Sequence, residues 1–262
     1  MKIIESFIQG KQNNPFLCED ALFISSKGVA VIDGATSKTK NLNGSSTPGR
    51  QAAQLISSSL EEYMEIEDSF EMLCKISSLL PSASANLQPT ASIILYQRKY
   101  SRIVNYGDCQ CILEHNLHKH EKVIDRINST RRQRILQTCL SMGLSQSFLL
   151  RHDIGRWFIM PSLKKQYKYA NNTKSRLGYG VINGQKLDRH FMSIYTVHEG
   201  DEIVLASDGY PELQETYQES ERILQRTLIH DPLIINRLYR STKGLTPGNL
   251  SYDDRTYIRF IA

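Results

Sequence analysis

Carboxylates close or open apolar runs at three widely separated places in this sequence. They are Glu19-Asp20 with Asp33-Gly34 soon after, Asp208-Gly209, and Asp253-Asp254. Like charges repel, so a fold that gathers several carboxylates does so around hard cations. An oxygen-only donor set suits Mg²⁺ or Mn²⁺.

The elements that must position these acids are legible around each one. Gly28-Val29-Ala30-Val31-Ile32 is a short apolar run, read as a buried strand that stops at Asp33-Gly34. Glu202-Ile203-Val204-Leu205-Ala206 repeats the pattern and stops at Ser207-Asp208-Gly209. In the third segment the order reverses: Asp253 comes first, and Arg255 to Phe260 alternates as a half-buried strand does. A lone Asp-Gly reads first as a hairpin turn. Three strand-end acidic sites in one chain read instead as parts of one site.

The landmarks and their order resemble those of the metal-dependent Ser/Thr protein phosphatases (PPM, or type 2C). The chain carries Cys18-Glu19-Asp20, Ile32-Asp33-Gly34, Thr90-Ala91-Ser92-Ile93 and Tyr106-Gly107-Asp108-Cys109. It then carries Leu205-Ala206-Ser207-Asp208-Gly209 and Asp253-Asp254-Arg255-Thr256. The resemblance spans nearly the whole chain. Leu-Ala-Ser-Asp-Gly with the terminal Asp-Asp-x-Thr is its most specific part.

The resemblance implies an α+β fold, a four-layer α/β/β/α sandwich of two mainly antiparallel sheets flanked by helices. It implies one type 2C phosphatase-like domain over residues 1–262, with a variable flap-like region at about 115–185. It implies two Mn²⁺ or Mg²⁺ ions and a weaker third. Asp33 would bridge the two tight ions, the Gly34 carbonyl would bind one of them, and Asp208 and Asp253 would complete the pair. Glu19 and Asp20 would hold metal-bound waters in the catalytic centre, and Asp108 would be a ligand of the third ion. Asp254, where relatives often have Asn, is expected to be structural or to act from outside the ligand set. The implied reaction is hydrolysis of phosphoserine or phosphothreonine in proteins by a metal-activated water, with a cognate Ser/Thr kinase as the opposing partner. The alternative is a catalytically weak, metal-binding module that recognises a phosphoprotein or a kinase, and a phosphatase of small metabolites stands behind both.

The departures from the pattern concern the phosphate and the proton rather than the metals. Pro15 stands where many eukaryotic members carry a phosphate-binding Arg, and Lys11 and Arg50 are the candidate substitutes. Asp33-Gly34-Ala35 lacks the His that follows Asp-Gly in those members, and Gly107-Asp108-Cys109-Gln110 replaces Gly-Asp-Ser-Arg. Retained acids with altered phosphate-gripping groups imply a divergent, bacterial-type member. Among the seven histidines, His115, His118 and His120 cluster in a polar stretch and read as solvated.

Composition fits a globular chain: 262 residues, 40% hydrophobic and 23% charged. Five cysteines, with Cys109-x-Cys111 alternating along a strand, read as reduced packing residues of a cytoplasmic protein rather than a zinc site. The start, Met1-Lys2-Ile3-Ile4-Glu5, has no signal-peptide core, and no run is long enough to span a membrane. A monomer without membrane attachment is expected. The net charge is +5, with basic residues concentrated between Lys119 and Lys174. No nucleic-acid motif accompanies them, so they read as a solvated face or as a docking face for acidic or phosphorylated protein.

Elsewhere the pattern predicts strands at about 2–8, 21–25, 91–97, 101–106, 109–114 and 191–197, with another about Trp157. Helices are predicted at 51–60 and 70–80, from Asn128 to Leu150 with a break at Gly143, from Glu212 to Thr227, and from Leu233 to Tyr239. Thr36 to Gly49 is a polar loop. The region from His115 to Gln185 either shapes substrate choice, with Lys174 to Gly180 as a mobile loop, or is an ordinary connection.

Overall fold

The structure is a computed structural model that describes residues 1–36, 46–81 and 88–262. Most of the predicted Thr36 to Gly49 loop therefore lies outside the described residues. In chain order the strands and helices are β1 (Lys2–Gln9), β2 (Asp20–Ser25), β3 (Gly28–Gly34), α1 (Pro48–Tyr63), α2 (Ser69–Ser78), β4 (Ala91–Gln97), β5 (Arg102–Tyr106), β6 (Gln110–Leu113) and β7 (Asn116–Lys119). They continue with α3 (Val123–Ser141), α4 (Gln146–Arg151), α5 (Ile154–Lys165), β8 (Met192–Thr196), β9 (Glu202–Ala206), α6 (Tyr217–His230) and β10 (Arg255–Ile261).

The strands form two five-stranded sheets, ordered β1-β10-β9-β6-β7 and β2-β3-β4-β5-β8. Every neighbouring pair is antiparallel. Strand alternation builds the layers. Val29 and Val31 of β3, with Ile94 and Tyr96 of β4, face Ile203, Leu205, Ile258 and Phe260 of the other sheet. The alternate residues Ala30, Ile32, Ile93 and Leu95 face α1 and α2. On the far side, Val204, Ala206 and Tyr257 pack against Leu224 and Leu228 of α6. This is the expected α/β/β/α sandwich, and it explains why residues 29–32 of β3 and 93–95 of β4 are unbroken apolar runs: each strand is covered on both faces.

Helix α1 shows the local logic. Thr47 caps it, its Oγ1 accepting from the Arg50 amide at 3.3 Å, and Pro48 takes the first turn, where a missing N–H costs nothing. Ala52, Ala53, Ile56 and Leu60 recur at three and four and are fully buried.

Two predicted elements come out differently. The segment about Trp157 is helical, not extended. Asp153 caps α5 by accepting from the Arg156 amide at 2.8 Å, and its buried positions, Gly155, Ile159 and Leu163, are spaced by four. Exposed Trp157 and Phe158, with Pro161 inside the helix, mask that period in the sequence. Leu233 to Tyr239 forms turns instead of a helix. Asp231 Oδ2 accepts from the amides of Ile235 (2.8 Å) and Asn236 (2.6 Å), a local bond that competes with helix formation. Ile234 adopts φ +50°, left-handed backbone that is strained for a β-branched residue. β7, unanticipated, closes one edge of its sheet.

Antiparallel topology decides where the acids meet. β3, β5 and β9 end at the same edge of the sandwich at which β2, β4, β6 and β10 begin. Asp33, Asp108 and Asp208 follow or finish the first set, and Asp20 and Asp253-Asp254 open members of the second. Among the described residues, no helix is long and apolar enough to cross a membrane.

Candidate functional site

At this edge a cavity of about 450 Å³ opens. Its floor carries Asp33, Asp108, Asp208 and Asp253. Asp33 is flanked across the sheet by Asp20 on β2 and Ser92 on β4. Asp20 is held by Thr256, whose Oγ1 donates to Asp20 Oδ2 at 2.9 Å. The Ser207 amide donates to the Thr256 carbonyl at 3.1 Å, and the Thr256 amide donates back to Ser207 Oγ at 2.9 Å. This reciprocal pair ties the end of β9 to the start of β10, and so places Asp208 beside Asp253. Gln110 Nε2 braces the same turn, donating to the carbonyls of Ser207 and Tyr210.

The Asp-Gly pairs are close-approach points rather than hairpin turns. A Cβ on Gly34 would stand 2.3 Å from the Glu19 and Gly49 carbonyl oxygens, and one on Gly209 would stand 2.0 Å from the Asp254 carbonyl oxygen. Only glycine lets the acid-bearing segments pass this closely.

The electrostatics separate the acids into two kinds. Asp33 and Asp208 have no side-chain hydrogen bond or ion pair among the described residues. Burial, then Asp208 and Asp20, raise the Asp33 pKa well above the carboxylate range. Burial, then Asp253 and Asp108, push Asp208 up to about 7. Burial and Asp254 likewise raise Asp20.

The other acids are held by lysines. Lys11 Nζ binds Glu19 Oε2 at 3.0 Å and Asp254 Oδ2 at 2.9 Å, with Asp253 at 3.7 Å. Lys122 Nζ binds Asp108 Oδ2 at 2.6 Å, and Lys243 Nζ binds Asp253 Oδ2. Burial works against ionisation of Asp108 and Asp253, but Lys122 in the first case, and Lys243 with Lys11 in the second, lower both.

A hard divalent cation fits this donor set. It is oxygen-only and carboxylate-rich, and two of its carboxylates are bare, half-buried and mutually repelling. Glu19 Oε1 is a buried oxygen with no hydrogen-bond partner among the described residues.

Of the predicted site residues, Asp20, Asp33, Asp108, Asp208 and Asp253 come together as electrostatic neighbours. Glu19 turns toward Lys11 and Thr36 Oγ1 (2.7 Å). Neither candidate for the phosphate grip is available: Lys11 is taken up by acids, and Arg50 Nη1 donates to the carbonyls of Pro15 and Cys18 at 2.8 Å. Lys122 and Lys243 were missed because no motif surrounds them. So was Arg240, which lines the cavity with a buried Nε that has no hydrogen-bond partner among the described residues.

No protein-family profile matches the chain, and neither does any curated protein. Solved structures do. RsbX in complex with magnesium is 14% identical, with 98% of this chain and 97% of that chain covered and a TM-score of 0.46. The catalytic domain of the serine/threonine protein phosphatase PstP, in complex with 2 manganese ions, is 14% identical over 99% and 98%, with a TM-score of 0.48. The serine/threonine phosphatase Stp1 from Staphylococcus aureus is 14% identical over 98% and 94%, with a TM-score of 0.49. The chain is similar to PPM-family Ser/Thr phosphatases. The likeness is one of overall architecture.

Proposed function

We propose that this chain is a metal-dependent phosphatase that hydrolyses phosphoserine or phosphothreonine in proteins. The observation that carries the reading is the pair of bare carboxylates, Asp33 and Asp208, which line one cavity with the charge of Asp208 acting on Asp33. Asp33, the Gly34 carbonyl, Asp208 and Asp253 would hold two Mg²⁺ or Mn²⁺ ions, with Asp33 shared between them. Cations bound there would supply charge neutralisation for a phosphate dianion and acidify a water for attack.

The chain's own residues do the positioning. Thr256 and Ser207 both hydrogen-bond the Asp20 carboxylate and fix its orientation, from which it would act on water from outside the ligand set. Lys11 screens Glu19 and Asp254 from the acids on the floor. Arg240, with its unpaired buried Nε, is the proposed grip on the phosphoryl group that the sequence lacked at Pro15. Lys119, Lys164 and Arg237 also line the cavity, alongside Glu121 and Asp125, and would meet the charge of a phosphorylated protein.

Release of phosphate from p-nitrophenyl phosphate and from phosphoserine or phosphothreonine peptides tests this. Turnover should need Mn²⁺ or Mg²⁺ and stop with EDTA. Peptide turnover well above that of small phosphorylated metabolites marks the protein substrate class, and metal-independent or absent turnover overturns the reading.

A second reading has its own support. Lys243 and Lys11 both reach Asp253, a required ligand, and so compete with metal there. This favours a catalytically weak module that recognises a phosphoprotein or kinase. Tight phosphopeptide binding without turnover at saturating Mn²⁺ distinguishes it.

A further inference from the structure

We infer that Lys122 is the built-in cation of the Asp108 side of the site, so that this chain takes two divalent ions and not three. The inference rests on the reading that Asp33, Asp208 and Asp253 hold metal.

Asp108 lies in the turn between β5 and β6 with both carboxylate oxygens engaged. Oδ1 accepts from Ser92 Oγ at 2.5 Å, and Oδ2 meets Lys122 Nζ at 2.6 Å. Lys122 is the residue immediately before α3, so the start of that helix fixes its backbone. Its side chain is 16% exposed and its ammonium lies 5.3 Å from the centroid of the Tyr179 ring. An aromatic face on one side and a carboxylate on the other hold a cation in place. Both Lys122 and Tyr179 belong to the 115–185 region, which thereby contributes a charge to the floor of the site.

A third ion at Asp108 would have to expel an ammonium held by both the carboxylate and the Tyr179 face, an aromatic hold that the lysines at Asp253 lack among the described residues, and an ammonium has no lone pair to offer a metal.

The test counts ions by titration calorimetry, adding Mn²⁺ to EDTA-stripped protein, with Mn²⁺ paramagnetic resonance as a second count. Wild type should bind two ions and show no further uptake at concentrations on the order of 1 mM, where weak carboxylate sites fill. Lys122→Met keeps length and packing against Tyr179 but removes the charge, and should gain a weak third ion. Adding Asp108→Ala to that variant should abolish the third ion. Three ions on wild type, or a folded Lys122→Met protein that still binds only two, overturns the inference and leaves the phosphatase reading standing. A wild type that binds no Mn²⁺ overturns both. The wild-type count decides even if Lys122→Met fails to fold, which its thermal unfolding curve reports.

Discussion

Asp20 and Asp33 are register partners across β2 and β3, two carboxylates directly opposite each other in an antiparallel sheet. Such a pairing is destabilising in any sheet built for stability alone. It persists here because Thr256 binds Asp20 and the fold clamps both strands from either side. The repulsion is stored where a cation would relieve it.

Asp33→Asn should accordingly separate function from stability. Turnover should fall by more than the ~10–100-fold typical of losing a group outside the ligand set. The metal-free protein should nevertheless melt at a higher temperature than wild type, because a charge facing Asp20 and Asp208 is gone. Parallel activity and unfolding measurements in EDTA check both halves. A metal-free variant that melts lower than wild type would place Asp33 in the scaffold.

Asp253 and Asp254 should respond in opposite ways to loss of charge. Asp253→Asn should weaken Mn²⁺ binding with little effect on metal-free stability. Asp254 is buried, and its Oδ2 accepts from Lys11 Nζ at 2.9 Å and the Glu19 amide at 3.2 Å. Its Oδ1 takes the Lys11 amide at 2.6 Å. An amide nitrogen in place of Oδ2 would face two donors, so Asp254→Asn should cost about 1–3 kcal/mol of stability while leaving the metal count intact. Denaturant unfolding and calorimetry of the two variants decide. The reverse ranking would put the ligand at Asp254.

Removing Lys11 should destabilise more than any single acid does. Lys11→Met leaves Glu19 and Asp254, each 3% exposed, without their counter-charge. A buried pair broken at one partner costs about 3–5 kcal/mol. Urea unfolding measures it, and a loss below about 1 kcal/mol would show that Lys11 behaves as a surface residue.

The metal-free protein should be more stable in mild acid than in mild base. Asp33 and Asp208 have folded pKa values raised above their unfolded ones, Asp208 to about 7. Such a group stabilises the fold while protonated, and that contribution disappears as pH rises through the folded value. The melting temperature in EDTA should therefore fall from about pH 4, the ordinary carboxylate value, to about pH 7, the folded value of Asp208, and level off above it. Asp108 and Asp253, lowered by their lysines, exert their effect only below the ordinary carboxylate range and do not mask the trend. Saturating Mn²⁺ should flatten or reverse it, since binding favours the ionised acids. A flat profile in EDTA would mean that the acids do not interact.

Arg240→Ala should raise KM for a phosphopeptide while leaving Mn²⁺ binding unchanged, as expected of a group that touches phosphate and not metal. Unchanged KM would return Arg240 to the scaffold.

Several of these features were readable from residue order alone. Alternation and uninterrupted apolar runs gave most of the strands, the helices α1, α2 and α6 and the strand-end acids, and the resemblance to the PPM landmarks implied the two-sheet sandwich and the place of Asp108. The runs and the strand-end acids are local properties: a strand covered on both faces must be apolar throughout, and a carboxylate at its end must sit at the rim of the sheet. The helix about Trp157 was hidden because its exposed aromatics and Pro161 disguise a buried period of four. The turns at 233–239 were hidden because Asp231 caps backbone amides that a helix would have used.

What only the tertiary structure decided is which acids stay bare and which are neutralised. Lys11 meets Asp254 across 243 positions of sequence, and Lys122 and Lys243 reach Asp108 and Asp253 from connecting segments without any motif. A lysine is a charge on a long flexible stem, and no spacing rule says where its ammonium comes to rest. The sequence by itself determined that acids stand at the ends of buried strands. Folding assigned a lysine to all but Asp20, Asp33 and Asp208, and thereby set the charge that remains for metal.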